Sequence, residues 1–258
     1  MISRLADVLV PVAGRLTVTV EDGARFAPGS VVVANHTSLA DPAVVLAALH
    51  RLGIEPVVMA AAGLWRIPLL GRALRREGHI PVHRGDRRAL RAIDAGVEAL
   101  NAGRTVLIYA EGGLPRRRDA GERAPGAFRG GLARLVEATG ADLIPVGQAG
   151  ARSLASGSAA KQLGGVLTAP VRRPCLHVHA GAPLTLTGDR AARTRRAREA
   201  VTAAWRIAAA RLDRRDVADP APACQAVAGV EVPVTGLTAR RAVPDAVSTE
   251  PSRLPVES

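Results

Sequence analysis

Residues 31–42 read Val-Val-Val-Ala-Asn-His-Thr-Ser-Leu-Ala-Asp-Pro. The first four form a short unbroken apolar run, the pattern of a β-strand covered on both faces. Asp41-Pro42 opens a helix: Asp suits the N-cap, and the fixed φ and missing N–H of proline suit the first helical position. The spacing predicts that helix over 43–51, stopping near Gly53. A doubly buried strand feeding a helix is one unit of an α/β fold.

The same alternation extends in both directions. Upstream, residues 16–20 (Leu-Thr-Val-Thr-Val) alternate as a half-buried strand does, and Glu21-Asp22-Gly23 supplies a turn. Downstream, strands are expected at 56–59, 80–83, 105–109, 142–146 and 176–179. Helices are expected at 86–101, 128–138 and 190–214, with short helices and loops over 60–77. Residues 111–126 form a loop rich in Gly, Arg and Pro. This order predicts one domain, residues 1–215, with a mostly parallel or mixed sheet flanked by helices. Sites in such sheets gather beyond the carboxyl ends of the strands. From about Asp216 the chain becomes rich in Pro, Ala, Val and Thr without a defensible period, so residues 216–258 are expected to be a disordered tail.

Composition narrows the function. Among 258 residues, 48% are apolar and 22% charged, as in an ordinary globular chain. With aromatic residues at 2%, the core must be built from aliphatic side chains. Two cysteines exclude a disulfide scaffold, and no apolar stretch is long enough to span a bilayer. No secretory signal is visible, so the cytoplasm is the expected compartment. The formal charge of +12 favours anionic partners, and all but one of the 35 basic side chains are Arg, the exception being Lys161. Nucleic acid is disfavoured as a partner, because aromatic side chains for stacking are scarce and no nucleic-acid motif is present.

His36 lies just past the buried strand, and four residues separate it from Asp41. A loop of that length can fold back so that the carboxylate accepts a hydrogen bond from one imidazole nitrogen. That bond fixes the tautomer and raises the basicity of the other nitrogen, the orienting half of a catalytic triad without a protein nucleophile. Such a base deprotonates a substrate hydroxyl, which attacks an acyl carbonyl directly. The plain alternative is an Asp41 that only caps a helix and a His36 that is only a polar loop residue. A metal site is disfavoured, since His50, His79 and His83 supply no compact third ligand.

Asn35-His36-Thr37-Ser38-Leu39-Ala40-Asp41 resembles the His-x4-Asp motif of the glycerolipid acyltransferases, with the 1-acylglycerol-3-phosphate (lysophosphatidic acid) acyltransferases as the branch it is most similar to. Gly78-His79-Ile80-Pro81-Val82-His83-Arg84-Gly85 resembles the second block of that family, whose Arg is associated with the glycerol phosphate. Tyr109-Ala110-Glu111-Gly112-Gly113 resembles the third block, usually Phe-Pro-Glu-Gly-Thr-Arg, and Leu143-Ile144-Pro145-Val146 the fourth. Ala127-Phe128-Arg129-Gly130-Gly131 is similar to the Phe-Lys-x-Gly segment between them. The third block departs from the pattern: Ala110 stands for Pro, Gly113 for Thr and Leu114 for Arg, with Arg116, Arg117 and Arg118 just downstream.

The resemblance implies a glycerol-3-phosphate acyltransferase-like fold. It also implies acyl transfer from acyl-CoA or an acyl carrier protein to a lysophospholipid, most simply 1-acylglycerol-3-phosphate to phosphatidic acid. His36 and Asp41 would be the base pair, and Arg84, Glu111, Gly112, Gly113 and Arg116 would bind substrate. Glu111 would meet the acceptor hydroxyl or hold Arg84. No cofactor is implied beyond the acyl thioester, and the oligomeric state stays open. A lipid substrate implies peripheral contact with the inner face of the cell membrane, with Ala60–Leu70 and its flanking Arg72, Arg75 and Arg76 as the candidate contact. The altered third block leaves room for a different lipid acceptor, or for a homologue that binds lipid without chemistry.

Overall fold

The Val31–Ala34 run is the centre of the molecule. The structure, a computed structural model, describes residues 1–84, 88–114 and 121–218. The expected tail from residue 219 onward, including Cys224, lies outside the described residues, as do Arg116, Arg117, Arg118 and the start of the helix expected from Asp86. All described residues fall within one compact unit.

The strands are β1 (Arg15–Val20), β2 (Val31–Ala34), β3 (Val57–Ala61), β4 (Ile80–Val82), β5 (Val106–Ile108), β6 (Leu143–Ala149) and β7 (Cys175–Ala180). They make one seven-stranded sheet in the order β1-β7-β6-β2-β5-β3-β4. Every pairing is parallel except β6 with β7, so β1 and β7 run against the other five. The helices are α1 (Ile2–Ala13), α2 (Asp41–Arg51), α3 (Pro68–Arg76), α4 (Ala89–Asn101), α5 (Gly131–Thr139), α6 (Ala159–Arg172) and α7 (Arg190–Ala218).

Period-two alternation divides β2 between two apolar layers. Val32 and Ala34 join α1 and α2 on one face, with Val10, Val45 and Leu49. Val31 and Val33 join α4, α5 and α7 on the other, with Ala92, Leu135 and Val201. All four β2 residues are fully buried, which is why this strand reads as a continuous apolar run. On the second face α7 rests almost on the backbone of β6. A Cβ on Gly147 would lie 2.1 Å from the Ala204 carbonyl carbon and the Trp205 nitrogen, so only glycine fits there.

Two helices have no counterpart in the sequence reading. Pro11 interrupts the apolar pattern of α1, and Gly164, Gly165 and Pro170 interrupt that of α6. The start of α2 corrects the expected cap. The N-cap is Ala40, Asp41 is the first helical residue, and no side chain caps the helix. The Asp41 carboxylate is instead turned back into the preceding loop. α7 continues to Ala218, beyond the expected end at Arg214.

Candidate active site

β6, β2 and β5 are neighbours, and their carboxyl ends deliver the three segments of the site side by side. At the end of β2, Asn35 replaces the backbone ladder with a side-chain one. Its Nδ2 donates to the Gln148 carbonyl at 3.0 Å, and its Oδ1 accepts from the Gln148 N–H at 2.8 Å. The chain can therefore leave the sheet at His36 without abandoning buried polar groups of β6.

The loop 36–40 is then wrapped around one oxygen. Asp41 Oδ2 accepts from His36 Nδ1 at 3.0 Å, from the Ser38 N–H at 2.8 Å and from the Thr37 N–H. Asp41 is wholly inaccessible to solvent. An ionised carboxylate only accepts, so the imidazole proton sits on Nδ1 and Nε2 is left as a bare acceptor. The His36 side chain keeps 12% of its surface, enough for one edge to meet a substrate.

Further contacts brace the loop from outside. The Ser38 hydroxyl donates to the Ala155 carbonyl at 2.6 Å. Arg152, itself buried, donates through Nη1 to the Thr37 carbonyl at 2.7 Å, and Gln148 Nε2 reaches Thr37 Oγ1 at 3.3 Å. Just past β5, the Tyr109 ring lies against the imidazole with centroids 4.4 Å apart. Burial pushes the Tyr109 hydroxyl pKa well above its ordinary value, reinforced by the nearby Asp41 charge, so the ring meets His36 as a neutral phenol. Burial also raises the carboxyl pKa of Glu122, whose Oε1 accepts from the Gly150 N–H at 2.9 Å.

Glu111 sits beside His36, and its contacts are with the backbone. Oε1 accepts from the His36 N–H at 2.8 Å and Oε2 from the Gly126 N–H at 2.9 Å. Both of its oxygens thus hold the site loop to the segment after β5, and no contact joins Glu111 to Arg84 among the described residues. Gly112 adopts φ +72°, a backbone conformation that suits glycine, with its N–H donating to the Tyr109 carbonyl at 3.0 Å. A Cβ there would lie 2.4 Å from Arg129 Cδ, while one on Gly113 would lie 3.5 Å from Arg84 Nη1. The two arginines therefore flank the same glycine pair. Neither guanidinium has a hydrogen-bond or ion-pair partner among the described residues.

The sequence reading missed Asn35, Gln148, Arg152, Tyr109 and Glu122 as members of this site. Asn35 and Tyr109 lay inside the quoted blocks. Gln148 carried a usable signal, a polar residue two places beyond an apolar strand run. Arg152 and Glu122 carried none that separates them from other charged residues of the chain.

The profile of the family described as Acyltransferase matches residues 15–148, just over half of the chain. The chain belongs to the acyltransferase family. The matched segment contains β1 to β5, all of β6 but Ala149, and every site residue placed above except Gly150, Arg152 and Ala155. Among solved structures, the 1-acyl-sn-glycerophosphate (LPA) acyltransferase PlsC from Thermotoga maritima superposes with a TM-score of 0.58 at 17% identity, covering 82% of this chain and 78% of that one. That likeness establishes the fold of this acyltransferase as PlsC-like, an α/β sheet flanked by helices. No curated protein matches the chain. Among the described residues, no helix of the acyltransferase is long and apolar enough to cross a membrane.

Proposed function

We propose that this acyltransferase moves a fatty acyl group from a thioester of coenzyme A or an acyl carrier protein to the free hydroxyl of 1-acylglycerol-3-phosphate, giving phosphatidic acid. The observation that carries the reading is the His36 Nδ1 to Asp41 Oδ2 hydrogen bond of 3.0 Å, made to a fully buried carboxylate. His36 Nε2 takes the hydroxyl proton as the oxygen attacks the thioester carbonyl carbon. The tetrahedral intermediate collapses with loss of the C–S bond, and the imidazolium returns its proton to the departing thiolate. Asp41 offsets the imidazolium charge between these two steps.

The phosphate end of the acceptor is assigned to Arg84 and Arg129, which bracket Gly112-Gly113 and whose guanidinium groups have no partner among the described residues. In this reading Arg129 provides the charge that Leu114 lacks. Glu111 acts as a positioning residue for the His36 backbone, and the glycine pair allows close approach of the anion. The exposed Ile67 and Leu69 support contact between the 60–70 stretch and a lipid surface.

The test is thiol release from acyl thioesters in the presence of a panel of acceptors: 1-acylglycerol-3-phosphate, glycerol 3-phosphate, lysophosphodiesters and monoacylglycerol. The phosphomonoester lysolipid should give the highest kcat/KM. His36→Ala should abolish release while thermal unfolding stays unchanged. Turnover that survives in His36→Ala, or a preference for monoacylglycerol, would overturn the reading.

A further inference from the structure

The site holds a largely buried carboxyl that the proposed reaction leaves without a role. Glu122 lies on the segment after β5, and its Oε1 accepts from the Gly150 N–H at 2.9 Å. Its Oε2 is buried and completes no hydrogen bond among the described residues. Trp205 Nε1, on α7, is also buried without a partner there, and its N–H lies close enough to favour the ionised carboxylate. Buried polar atoms are rarely left incomplete, and those that are call for a reason.

Glu122 joins two separate grips on the His36 loop. One runs through Glu111, whose oxygens accept from the His36 N–H and from the Gly126 N–H. The other runs through the turn after β6. Gly150 opens that turn, and Arg152 within it donates through Nη1 to the Thr37 carbonyl at 2.7 Å. The Ala151 and Ala155 carbonyls take the Ser38 hydroxyl at 3.2 and 2.6 Å. The Glu122–Gly150 bond links the first grip to the second, so residues 36–38 are held inside a closed ring of contacts. α7 backs this ring from outside, with Arg198 donating through Nη2 to the Pro125 carbonyl at 3.2 Å and Trp205 standing at the Glu122 carboxyl.

We infer that Glu122 is a positioning residue: by tying the 122–126 segment to the Gly150 turn, it keeps the His36 ring aligned with Asp41 and the acceptor hydroxyl. This inference rests on His36 as the base. A ring opened at Glu122 frees the turn that carries Arg152 and the two carbonyls, and a base displaced by a fraction of an ångström loses much of its rate. The phosphate contacts assigned to Arg84 and Arg129 stay outside the ring, so the loss falls on kcat rather than on the acceptor KM. Burial raises the Glu122 carboxyl above its ordinary 4.5, and the Asp41 charge adds to this, while the Gly150 N–H, the indole N–H and Arg152 pull the other way. Its titration therefore lies above that of an exposed carboxylate, beside an indole that can report it.

The test combines kinetics with fluorescence on the full chain. Thiol release is followed from an acyl-CoA with 1-acylglycerol-3-phosphate as acceptor. Glu122→Ala should lower kcat on the order of 10- to 100-fold, with the acceptor KM within about threefold of wild type. Glu122→Gln keeps an acceptor for the Gly150 N–H and should hold kcat within about fivefold of wild type. Glu122→Asp is still charged but one methylene too short to reach Gly150; it should lose kcat as Glu122→Ala does, and it carries the kinetic test where Glu122→Ala fails to fold. Trp65 and Trp205 are the two tryptophans of the chain, so in W65F the emission reports Trp205 alone. That emission should change with pH through a transition above 4.5 that W65F/E122Q lacks. Wild-type kcat in Glu122→Ala or Glu122→Asp, a Glu122→Gln as damaged as Glu122→Ala, or a Trp205 emission whose pH response ignores Glu122 would each overturn the inference. His36→Ala separates the two readings. If it is inactive while Glu122→Ala is fully active, this inference alone falls; if it is active, the base falls and this inference with it.

Discussion

Replacing Asp41 by Asn separates the two jobs its carboxylate performs. One is mechanical: Oδ2 gathers the Thr37 N–H, the Ser38 N–H and His36 Nδ1. The other is electrostatic, offsetting charge on the imidazole when it takes a proton. An asparagine oxygen placed at Oδ2 can still accept all three hydrogens, so the loop keeps its shape. The amide NH₂ then falls where Oδ1 has no hydrogen-bond partner among the described residues, a stability loss of about 1–3 kcal/mol.

The charge, by contrast, vanishes entirely. At the 3.0 Å separation, with an effective dielectric of about 20, a full imidazolium–carboxylate pair is worth roughly 5–6 kcal/mol. If about half of that charge has developed in the transition state, kcat falls on the order of 10²-fold, and full development gives about 10⁴-fold. Thiol release at saturating acceptor measures this, with the acceptor KM expected within a few-fold of wild type. Asp41→Asn turnover within about fivefold of wild type, in a protein that melts normally, would refute the reasoning and leave Asp41 as a loop staple only.

Arg84→Ala and Arg129→Ala should each raise the KM for a phosphomonoester acceptor by roughly 10- to 100-fold while changing kcat little, and should leave a monoacylglycerol acceptor unaffected. Equal effects on both acceptors would detach these residues from the phosphate. Gly147→Ala should destabilise by about 3 kcal/mol or more, since its Cβ meets the α7 backbone at 2.1 Å and helix backbone cannot rotate aside; denaturant unfolding reads this directly. Burial, partly opposed by Glu77, holds the His79 pKa below its ordinary 6.5. The unfolded chain therefore takes up a proton first as pH falls, so stability present above pH 6.5 is lost below it. His79→Asn keeps an acceptor for the Val58 N–H and should flatten the slope of stability against pH by up to about 1.4 kcal/mol per pH unit over that window.

The parts of the fold that could be read from sequence are those decided locally. β2 declared itself because both its faces are covered, and α5 because Gly140, at φ +64°, closes it. α1 and α6 escaped because proline and glycine interrupt stripes that lie partly in solvent, where no burial enforces the period. Asp41 was legible as a partner for His36 but misread as an N-cap. An Asp before Pro satisfies the cap rule, yet here the loop N–H groups compete successfully for the carboxylate. Gln148 and Arg152 reach the loop from more than a hundred residues away, a proximity no local pattern encodes. The resemblance to known blocks gave Glu111 to the acceptor hydroxyl or to Arg84, whereas its two oxygens accept from the backbone N–H groups of His36 and Gly126, contacts no local pattern encodes.

The three-way grip on Asp41 Oδ2 makes the distance from residue 36 to residue 41 a fixed gauge. Inserting or deleting one residue would turn the helix start by about 100° and swing the carboxylate away from the ring. The segment 35–41 therefore tolerates exchange of side chains far better than change of length. Transplanted into another scaffold, it would have to travel as a cassette together with the ends of β5 and β6 that clasp it.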